Sequence, residues 1–335
     1  MVDQKGYILS NEKASFTSDG KGMVPREVAR FHEANRQKVL EKAIGAHAVD
    51  VVAVSQGPGI GSMLSPGLKF AHQTAQNLKA PLMGVNHAVA HFEIGILKCK
   101  ALDPVFLYVS GGNTQVLVRE KRPGKKINTL RTREKENSKT EQGNGMPNRN
   151  ESLGRYRVVG ETLDIGIGNL LDKSARHLRL GFPGGPPLYE LSLKGKNFVE
   201  LPYNVKGMDV CFSGLYTDFT RKCEKHAPAD MAFSLQETAF DMVLETAERA
   251  MAHFGKKELL LAGGVACSKI LQHKAKILCE QRGARMLVPE NAFLTDNGAM
   301  IAWNGLLAYR SGTLPLTADA DILPHWRADD VGVTW

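Results

Sequence analysis

The chain has 335 residues, which is long enough for two domains of ordinary size. It contains 43% hydrophobic and 23% charged residues, as globular proteins do, and no apolar run approaches the roughly 20 residues of a membrane-spanning helix. The formal net charge is +8, but eleven Lys and Arg against five Glu between Arg119 and Arg155 account for most of it, so charge alone is weak evidence for a nucleic-acid partner.

The first residues, MVDQKGYILSNEK, contain neither the apolar stretch of a signal peptide nor the Arg- and Ser-rich pattern of a transit peptide. The five cysteines are an odd number and include no CxxC pair, which favours a reducing compartment and buried thiols over a disulfide framework. These features predict a cytoplasmic protein, and a nuclear one as well if the source is eukaryotic.

Strands and helices alternate along the first third of the chain. In chain order, the pattern predicts a helix over Pro25–Ile44, a strand over Val49–Val54, a helix that ends near Lys79, and strands over Pro81–Asn86 and Val105–Val109. This alternation indicates an α/β architecture with partly parallel sheets.

The segment 120–154 contains almost no apolar residues, so we predict a disordered basic insert between two strands that pair as a hairpin. Beyond it the pattern resumes, with strands ELLLAGG and RMLVP. Helices are predicted at Gly168–Leu180, Ser213–His226, Met231–His253, Ser268–Arg282 and Asp296–Tyr309. The similar stretches LYVSGG and LLLAGG suggest two related lobes that face one cleft. We expect lobe I to comprise residues 1–115 with 297–335 returning to it, and lobe II to comprise 116–296.

Two histidines, His87 and His91, stand four residues apart in VNHAVAHFEIG. On a helix this spacing places both imidazoles on one face, where they could bind one metal ion. It is equally compatible with two histidines that bond only to the protein. Ala88 stands where a zinc protease of the HExxH type has its glutamate, which excludes that chemistry. Asp296 is a candidate third ligand, although its spacing does not place it near the pair.

Three glycine-rich stretches, SGGNT, GFPGGP and GGVA, lie next to regular elements. Glycine lets the backbone approach a ligand and expose N–H groups to phosphate, and several such loops in an α/β chain indicate nucleotide binding. There is no GxxxxGK[ST] motif, so the chain is not a P-loop protein. Asp164 and Asp172 are candidates to bind a ribose or a metal, and their eight-residue spacing would place both on one helix face. They are also compatible with ordinary solvated or capping carboxylates.

Taken together, these motifs resemble the family of tRNA N6-adenosine threonylcarbamoyltransferases, once described as O-sialoglycoprotein endopeptidases. The motifs that carry the resemblance stand in the family's order: GVNHAVAH, LYVSGGNTQV, GETLDIGIGN, GFPGGP, ELPYNVKGMDVCFSG, FSLQETAF, AGGVA and DNGAMIA. VKGMD and the terminal VTW resemble the archaeal and eukaryotic branch, the catalytic subunit of the KEOPS complex. The resemblance covers about residues 20–335 apart from the insert.

The resemblance implies a two-lobed α/β fold of the actin, Hsp70 and sugar-kinase type, built from duplicated ribonuclease H-like cores. It also implies transfer of a threonylcarbamoyl group from threonylcarbamoyl-adenylate to N6 of the adenosine 3′ of the anticodon, in tRNAs that read codons starting with A. AMP is released. The implied partners are tRNA and other KEOPS subunits, including a small kinase-like protein, with no membrane.

Carried over by position, the resemblance implies one divalent metal ion, iron or zinc. Its ligands would be His87, His91, Tyr108 and Asp296. The motifs name no general base, so the resemblance implies metal-assisted catalysis without an assigned proton acceptor.

The resemblance also implies a binding site for the adenylate, the co-substrate. The residues along which it would lie are Tyr108, Val109, Ser110, Gly111 and Gly112. Asp172 would contact the ribose and Gly185 would lie beneath the base. Ser268 occupies the position of the family's usual adenine-side Asn. Tyr189, next to Glu190, occupies that of a common ribose-side Glu.

Two further departures concern whole segments. The family begins with a strand pair of the type GIEGTAHTLGVG, which has no counterpart here, so we expect the fold to lack its first N-terminal strand pair. The basic segment 120–154 also has no expected counterpart, and either tRNA contact or an error in the gene model would explain it.

Two alternatives to the transferase remain open. A nucleotide- and metal-binding scaffold subunit with impaired catalysis would fit the missing strand pair and Ser268. A kinase or ATPase would fit the fold, although such enzymes do not need the histidine pair.

Overall fold

The computed structural model describes residues 1–17, 24–121 and 154–335. Its helices are α1 (Pro25–Ile44), α2 (Gly61–Leu78), α3 (His87–Cys99), α4 (Ile167–His177), α5 (Gly185–Ser192), α6 (Ser213–Lys222), α7 (Pro228–His253), α8 (Lys269–Gln281), α9 (Asn291–Leu294) and α10 (Gly298–Arg310). Its strands are β1 (Val52–Gly57), β2 (Leu82–Asn86), β3 (Val105–Val109), β4 (Thr114–Lys121), β5 (Gly154–Glu161), β6 (Val205–Lys206), β7 (Asp209–Val210), β8 (Glu258–Ala262), β9 (Arg285–Leu287) and β10 (Gly332–Val333).

The α/β architecture expected from the sequence is confirmed. Helix α1 and strand β3 have the predicted bounds, and most other predicted elements recur with ends displaced by a few residues. The expected hairpin around the basic segment is also present, because β4 and β5 pair antiparallel from Gln115–Glu161 to Lys121–Gly154. Most of the segment 120–154 lies outside the described residues.

A six-stranded mixed sheet forms the centre of the molecule, in the order β10-β5-β4-β3-β8-β9. Strands β3, β8 and β9 run parallel, whereas β4 and β5 are antiparallel to their neighbours. Every residue of β3 and β8 is buried, as expected for parallel strands covered on both faces. Since β3 and β8 are parallel neighbours, the glycine-rich stretches that follow them lie side by side at one edge of the sheet.

Helices cover both faces of this sheet. On one face, α4, α6, α7 and α8 enclose the largest apolar core, which includes Leu107, Val109, Leu259 and Leu261 from the central strands. On the other face, α3 packs against Phe106, Tyr108 and Leu260. The alternation of neighbouring strand residues between the two cores follows from the two-residue repeat of a β-strand.

A second, smaller sheet consists of β1 and β2, which pair in parallel. Helix α10 packs against both β1 and α3. The proposed lobe boundary after residue 115 falls within β4, which pairs with β3 in the six-stranded sheet. The division into lobes stays a prediction, and the sheet places β3 with the strands that follow it.

The C-terminal segment, residues 313–335, runs from the small sheet to the large one. Leu316 N–H donates to the carbonyl oxygen of Leu82 in β2 at 2.7 Å, and Leu323 N–H donates to that of Gln56 in β1 at 2.8 Å. The segment ends in β10, which pairs with β5. The same 23 residues are therefore hydrogen-bonded to both sheets.

Two expectations need correction or extension. GFPGGP is not only a glycine-rich loop, because its last residues begin α5, whose first turn contains two prolines as helix starts often do. All five cysteines are unpaired, but only Cys279 is buried and the other four are half-buried.

In the part of the chain that the structure describes, we find no helix with the length and apolarity needed to cross a bilayer.

The two-sided burial of β3 gives a stability prediction. Leu107→Ala removes a fully buried side chain from the central strand, so we expect it to lower the free energy of unfolding by about 2–5 kcal/mol in urea denaturation. Leu102→Ala, at a leucine that is 81% exposed, is the matched control and should change it by less than about 0.5 kcal/mol. Equal effects of the two substitutions would contradict the assigned core.

Candidate metal and nucleotide site

The two histidines lie at the start of α3, immediately after β2. The side chain of Asn86 caps this helix, accepting from the N–H groups of Ala88 at 3.0 Å and Val89 at 3.2 Å. The cap fixes His87 as the first helical residue and places His91 one turn later on the same face. Their ring centroids are 5.0 Å apart.

Asp296 lies immediately before α10 and completes a cluster with the histidines. Its Oδ1 is 3.2 Å from Nε2 of His87 and 3.3 Å from Nε2 of His91. Ligand atoms bound to a tetrahedral ion at about 2.0–2.1 Å lie about 3.3 Å from one another, so these distances fit a shared cation. Among the described residues, these three form the group of His, Cys, Asp and Glu side chains able to hold a metal.

The protonation states also suit metal binding. Burial lowers the pKa of His91, whose side chain is 1% exposed, and keeps the imidazole neutral. Partial desolvation opposes ionisation of Asp296, whose side chain is 80% exposed, but hydrogen bonds from His87 and His91 outweigh it and hold the pKa of this carboxyl well below its usual range. A neutral imidazole and an ionised carboxylate are the forms that bind a cation.

The second nitrogen of each histidine has a different environment. Nδ1 of His87 lies 3.4 Å from Oγ of Ser55 in β1, which orients the ring with Nε2 towards Asp296. Nδ1 of His91 is buried without a hydrogen-bond partner among the described residues. Sequence reasoning missed both Ser55 and Asn86. Asn directly before a helix is a recognised capping signal and could have been found.

Tyr108 lies beside the cluster, at the end of β3. Its ring centroid is 5.6 Å from that of His91, and its side chain is fully buried. Burial raises the pKa of the Tyr108 phenol above its ordinary value, so the hydroxyl is protonated at neutral pH. The structure therefore brings together His87, His91 and Asp296 and places the ring of Tyr108 next to that of His91.

The SGG loop, Ser110–Gly112, continues from Tyr108 and Val109. It is held by the first turn of α4, where the N–H of Gly168 donates to the carbonyl oxygen of Ser110 at 3.1 Å and that of Asn169 to Gly111 at 2.9 Å. The N–H groups of Gly111 and Gly112 have no acceptor among the described residues, and both glycines are exposed. Unpaired backbone N–H groups of this kind are suited to bind an anion.

A second glycine pair, Gly263–Gly264, follows β8 beside the SGG loop. Gly263 has φ +92°, and a Cβ atom there would lie 2.3 Å from the carbonyl oxygen of Val109. Only glycine fits this close approach of two strand ends. Ser268 follows a few residues later, and its Oγ caps α8 by accepting from the N–H of Leu271 at 3.4 Å.

Asp172 lies on α4 and faces the start of α5. Its Oδ1 accepts from the N–H of Gly184 at 2.7 Å, and burial raises the pKa of this carboxyl. Gly185, the first residue of α5, has open space where a side chain would stand. Tyr189, one turn later, lines a cavity of about 490 Å³ together with Lys269 of α8. Among the described residues, the lining of this cavity includes neither Asp172 nor Gly185.

The expectation that Asp164 shares a helix face with Asp172 is wrong. Asp164 lies before α4, and its two carboxylate oxygens accept from the N–H groups of Phe212 at 2.9 Å and Ser213 at 2.8 Å. Asp164 therefore holds the start of α6. The sequence spacing was uninformative because the helix begins only at Ile167.

Residues 7–140 and 143–303 match the family model for tRNA N6-adenosine threonylcarbamoyltransferase. The chain belongs to this family. As members of the family are transferases that modify tRNA, the assignment to a tRNA-modifying transferase is confirmed. The match includes the segment 120–154 except for residues 141–142, contrary to the expectation that this segment has no counterpart in the family.

Archaeal relatives agree with this assignment. The chain is 42% identical to the tRNA N6-adenosine threonylcarbamoyltransferase of Methanococcoides burtonii, with 100% of this chain and 92% of that protein covered. It is 42% identical to that of Archaeoglobus fulgidus, covering 100% and 95%. A probable bifunctional tRNA threonylcarbamoyladenosine biosynthesis protein of Methanosarcina barkeri is also 42% identical, but the chain spans only 56% of its length.

Solved structures support the fold. HypF of T. kodakarensis superimposes with a TM-score of 0.58 at 16% identity, covering 83% of this chain and 44% of that one. Full-length HypF in the phosphate- and nucleotide-bound form gives 0.56 at 10% identity, covering 84% and 42%. At these identities the likeness concerns the α/β fold alone.

The contact between the two glycine pairs generates a prediction. Gly263→Ala forces a side chain into a left-handed backbone conformation and against Val109, so we expect it to lower the free energy of unfolding by at least about 2 kcal/mol. Gly264→Ala, where a Cβ would meet nothing within 4 Å, is the matched control and should leave the denaturation midpoint almost unchanged. Similar midpoints for the two variants would refute the close approach.

Proposed function

We propose that this chain transfers a threonylcarbamoyl group from threonylcarbamoyl-adenylate to N6 of the adenosine immediately 3′ of the anticodon, in tRNAs that read codons starting with A. In this reaction the bond from the carbamoyl carbon to the phosphate oxygen breaks and a bond to N6 forms. N6 loses a proton, and AMP leaves. The observation that carries the proposal is the convergence of His87, His91 and Asp296 beside two glycine pairs, in a chain of this family.

We infer that His87, His91 and Asp296, with Tyr108 as a fourth ligand, hold one divalent cation, iron or zinc. The fit of the ligand distances, the neutral His91 and the ionised Asp296 support this site. Imidazole suits both metals. When bound, such a cation orients the adenylate and polarises its carbonyl oxygen.

The adenylate is proposed to lie along Tyr108, Val109 and the SGG loop. The unpaired N–H groups of Gly111 and Gly112 are suited to the phosphate, since they are already oriented before the ligand arrives. Because Gly111 and Gly112 lie close to the metal cluster, an adenylate bound to both would be held next to the incoming base. Holding the two reactants together in this way would lower the entropic part of the barrier.

The nucleoside end of the adenylate is proposed to extend towards α5. Asp172 would accept from a ribose hydroxyl with the oxygen that does not bind Gly184. Gly185 leaves room for a flat base. Tyr189 and Ser268 would border the base. The Ser268 hydroxyl would donate a hydrogen bond to it while its oxygen still caps α8.

We further propose that the chain acts with other KEOPS subunits, including a small kinase-like protein, and that it works in the cytoplasm, or also in the nucleus of a eukaryote. The bifunctional relatives, in which a matching chain forms 56% of a longer protein, favour a partner that contributes to the same tRNA modification. The proton acceptor for N6 remains unassigned to any side chain.

The metal site can be tested by elemental analysis. Purified wild-type chain should carry about one iron or zinc ion, and the double variant His87→Ala, His91→Ala should lose it because two of the three convergent ligand atoms are gone. His226→Ala, at an exposed histidine outside the cluster, is the control and should keep the metal. A metal content that is equal in the double variant and the control would exclude this site.

The transfer reaction can be tested with threonylcarbamoyl-adenylate, partner subunits and two tRNA transcripts, one with adenosine and one with guanosine 3′ of the anticodon. Nucleoside mass spectrometry should detect the product only on the first transcript. Asp296→Ala should lower the rate at least about 10-fold because it removes a proposed ligand, whereas the exposed control Asp319→Ala should not. Product on the guanosine transcript, or none on either, would refute the proposal.

A further inference from the structure

Helix α3 carries both histidines and is enclosed on all sides over most of its length. Residues 88–95 are buried. On the side of the large sheet, the ring centroid of Phe92 lies 5.1 Å from that of Phe106, 5.5 Å from that of Tyr108 and 5.1 Å from that of Tyr156. Apolar packing of this kind is strong but not directional, so it leaves the rotation and axial position of the helix loosely defined.

One directional contact interrupts this apolar interface. The hydroxyl of Tyr156 in β5 donates to Oε1 of Glu93 in α3 at 2.6 Å. Glu93 is 3% exposed and Tyr156 is fully buried. Burial, reinforced by the charge of Glu93, raises the pKa of Tyr156 well above its ordinary value, so the phenol stays protonated and keeps donating.

This pair is not explained by stability. A buried carboxylate carries a desolvation penalty of several kcal/mol, and well-packed apolar residues in place of a buried ionic or polar pair are often neutral or stabilising. A directional polar contact inside an otherwise apolar interface can instead fix register, as single buried polar residues do in coiled coils. The Glu93–Tyr156 contact has the geometry for that role.

The Glu93–Tyr156 contact would fix the register of α3 on the sheet, and with it the position of the two histidines. Glu93 follows His91 by two residues and His87 by six, so it lies about 9 Å further along the helix axis than His87 at 1.5 Å per residue. Tyr156 belongs to β5, two strands from β3, which carries Tyr108. A shift of α3 against the sheet would therefore move both imidazoles relative to Tyr108 and the SGG loop.

We propose that Glu93 and Tyr156 form a positioning pair, whose hydrogen bond sets the register of α3 on the sheet and so places His87 and His91 for metal binding. The pair touches neither the metal nor the substrate. The proposal rests on the proposed metal site, and it assigns the pair a role in ligand geometry rather than in overall stability.

The decisive variant replaces the whole pair by apolar side chains, Glu93→Leu with Tyr156→Phe. We expect its melting temperature to equal or exceed that of the wild type, because no buried group is left unpaired, while its metal dissociation constant in a chelator competition rises about 10-fold. The separate single variant Glu93→Gln, whose carboxamide oxygen can still accept from Tyr156, should keep the wild-type affinity for the metal. An unchanged dissociation constant in the double variant would overturn the proposal.

A matched control separates positioning from loosened packing. Ile94→Val trims a fully buried side chain of the same helix, on the side that faces Phe293 and Met300, without changing a polar contact. It should lower the melting temperature and leave the metal dissociation constant unchanged. If metal affinity follows melting temperature across all these variants, the pair is merely structural. Should the double variant not fold, Tyr156→Phe must weaken metal binding and Glu93→Gln must not.

A metal-free measurement keeps this proposal distinct from the proposed function. If the wild-type chain binds no metal, the proposed metal site fails, and the imidazole ¹H–¹⁵N signals of His87 and His91 then decide the positioning role. The double variant should shift both signals, because the two rings change their position against Asp296, and Glu93→Gln should not. Unshifted signals in the folded double variant would overturn the proposal.

Discussion

The site depends on the enclosure of α3. This helix is covered by the large sheet on one side and by α9, α10 and the first residues of the chain on the other. Because protein interiors are close-packed, a helix covered on both sides has little freedom to move away from either one. The Asn86 cap fixes its first residue as well. The distances of about 3 Å between Asp296 and the two imidazoles are therefore a product of tertiary packing, since Asp296 lies 205 residues along the chain from His91.

Charge in the cleft follows from the same arrangement. The N-termini of α3 and α10 both point towards the cluster, and the positive ends of helix dipoles favour a carboxylate such as Asp296 nearby. The unpaired N–H groups of Gly111 and Gly112 add further partial positive charge at the neighbouring strand end. These backbone groups together favour an anion beside the cluster.

The sequence was most informative where structure is local. The bounds of α1 and β3 followed from apolar periodicity and from Pro25, and the hairpin of β4 and β5 followed from two strands that flank a polar segment. The order of motifs revealed the family. Contacts between distant segments were beyond pattern analysis: the spacing of His87 and His91 left a structural role open, and only the fold brings Asp296 to them.

The predictions from sequence were wrong where a side chain bonds to the backbone or where glycine and proline begin a helix. Asp164 resembled a ligand, but it accepts hydrogen bonds at the start of α6. GFPGGP resembled a loop because glycine and proline dominate it, yet its second half begins α5. Ser55 gave no signal in the sequence, because a serine in a strand acquires its role only from the histidine that the fold brings against it.

The C-terminal segment gives the molecule a second mechanical link between its sheets. Residues 313–335 bond to β1 and β2 near one end and pair with β5 at the other, and Asn86 also donates to the carbonyl oxygen of Trp326 at 2.9 Å. Helix α3 and this segment thus both connect the small sheet to the large one. Loss of the hydrogen bonds made by residues 313–335 would therefore let the two sheets separate about α3. The space around the metal cluster would then widen, although no residue of the cluster would change.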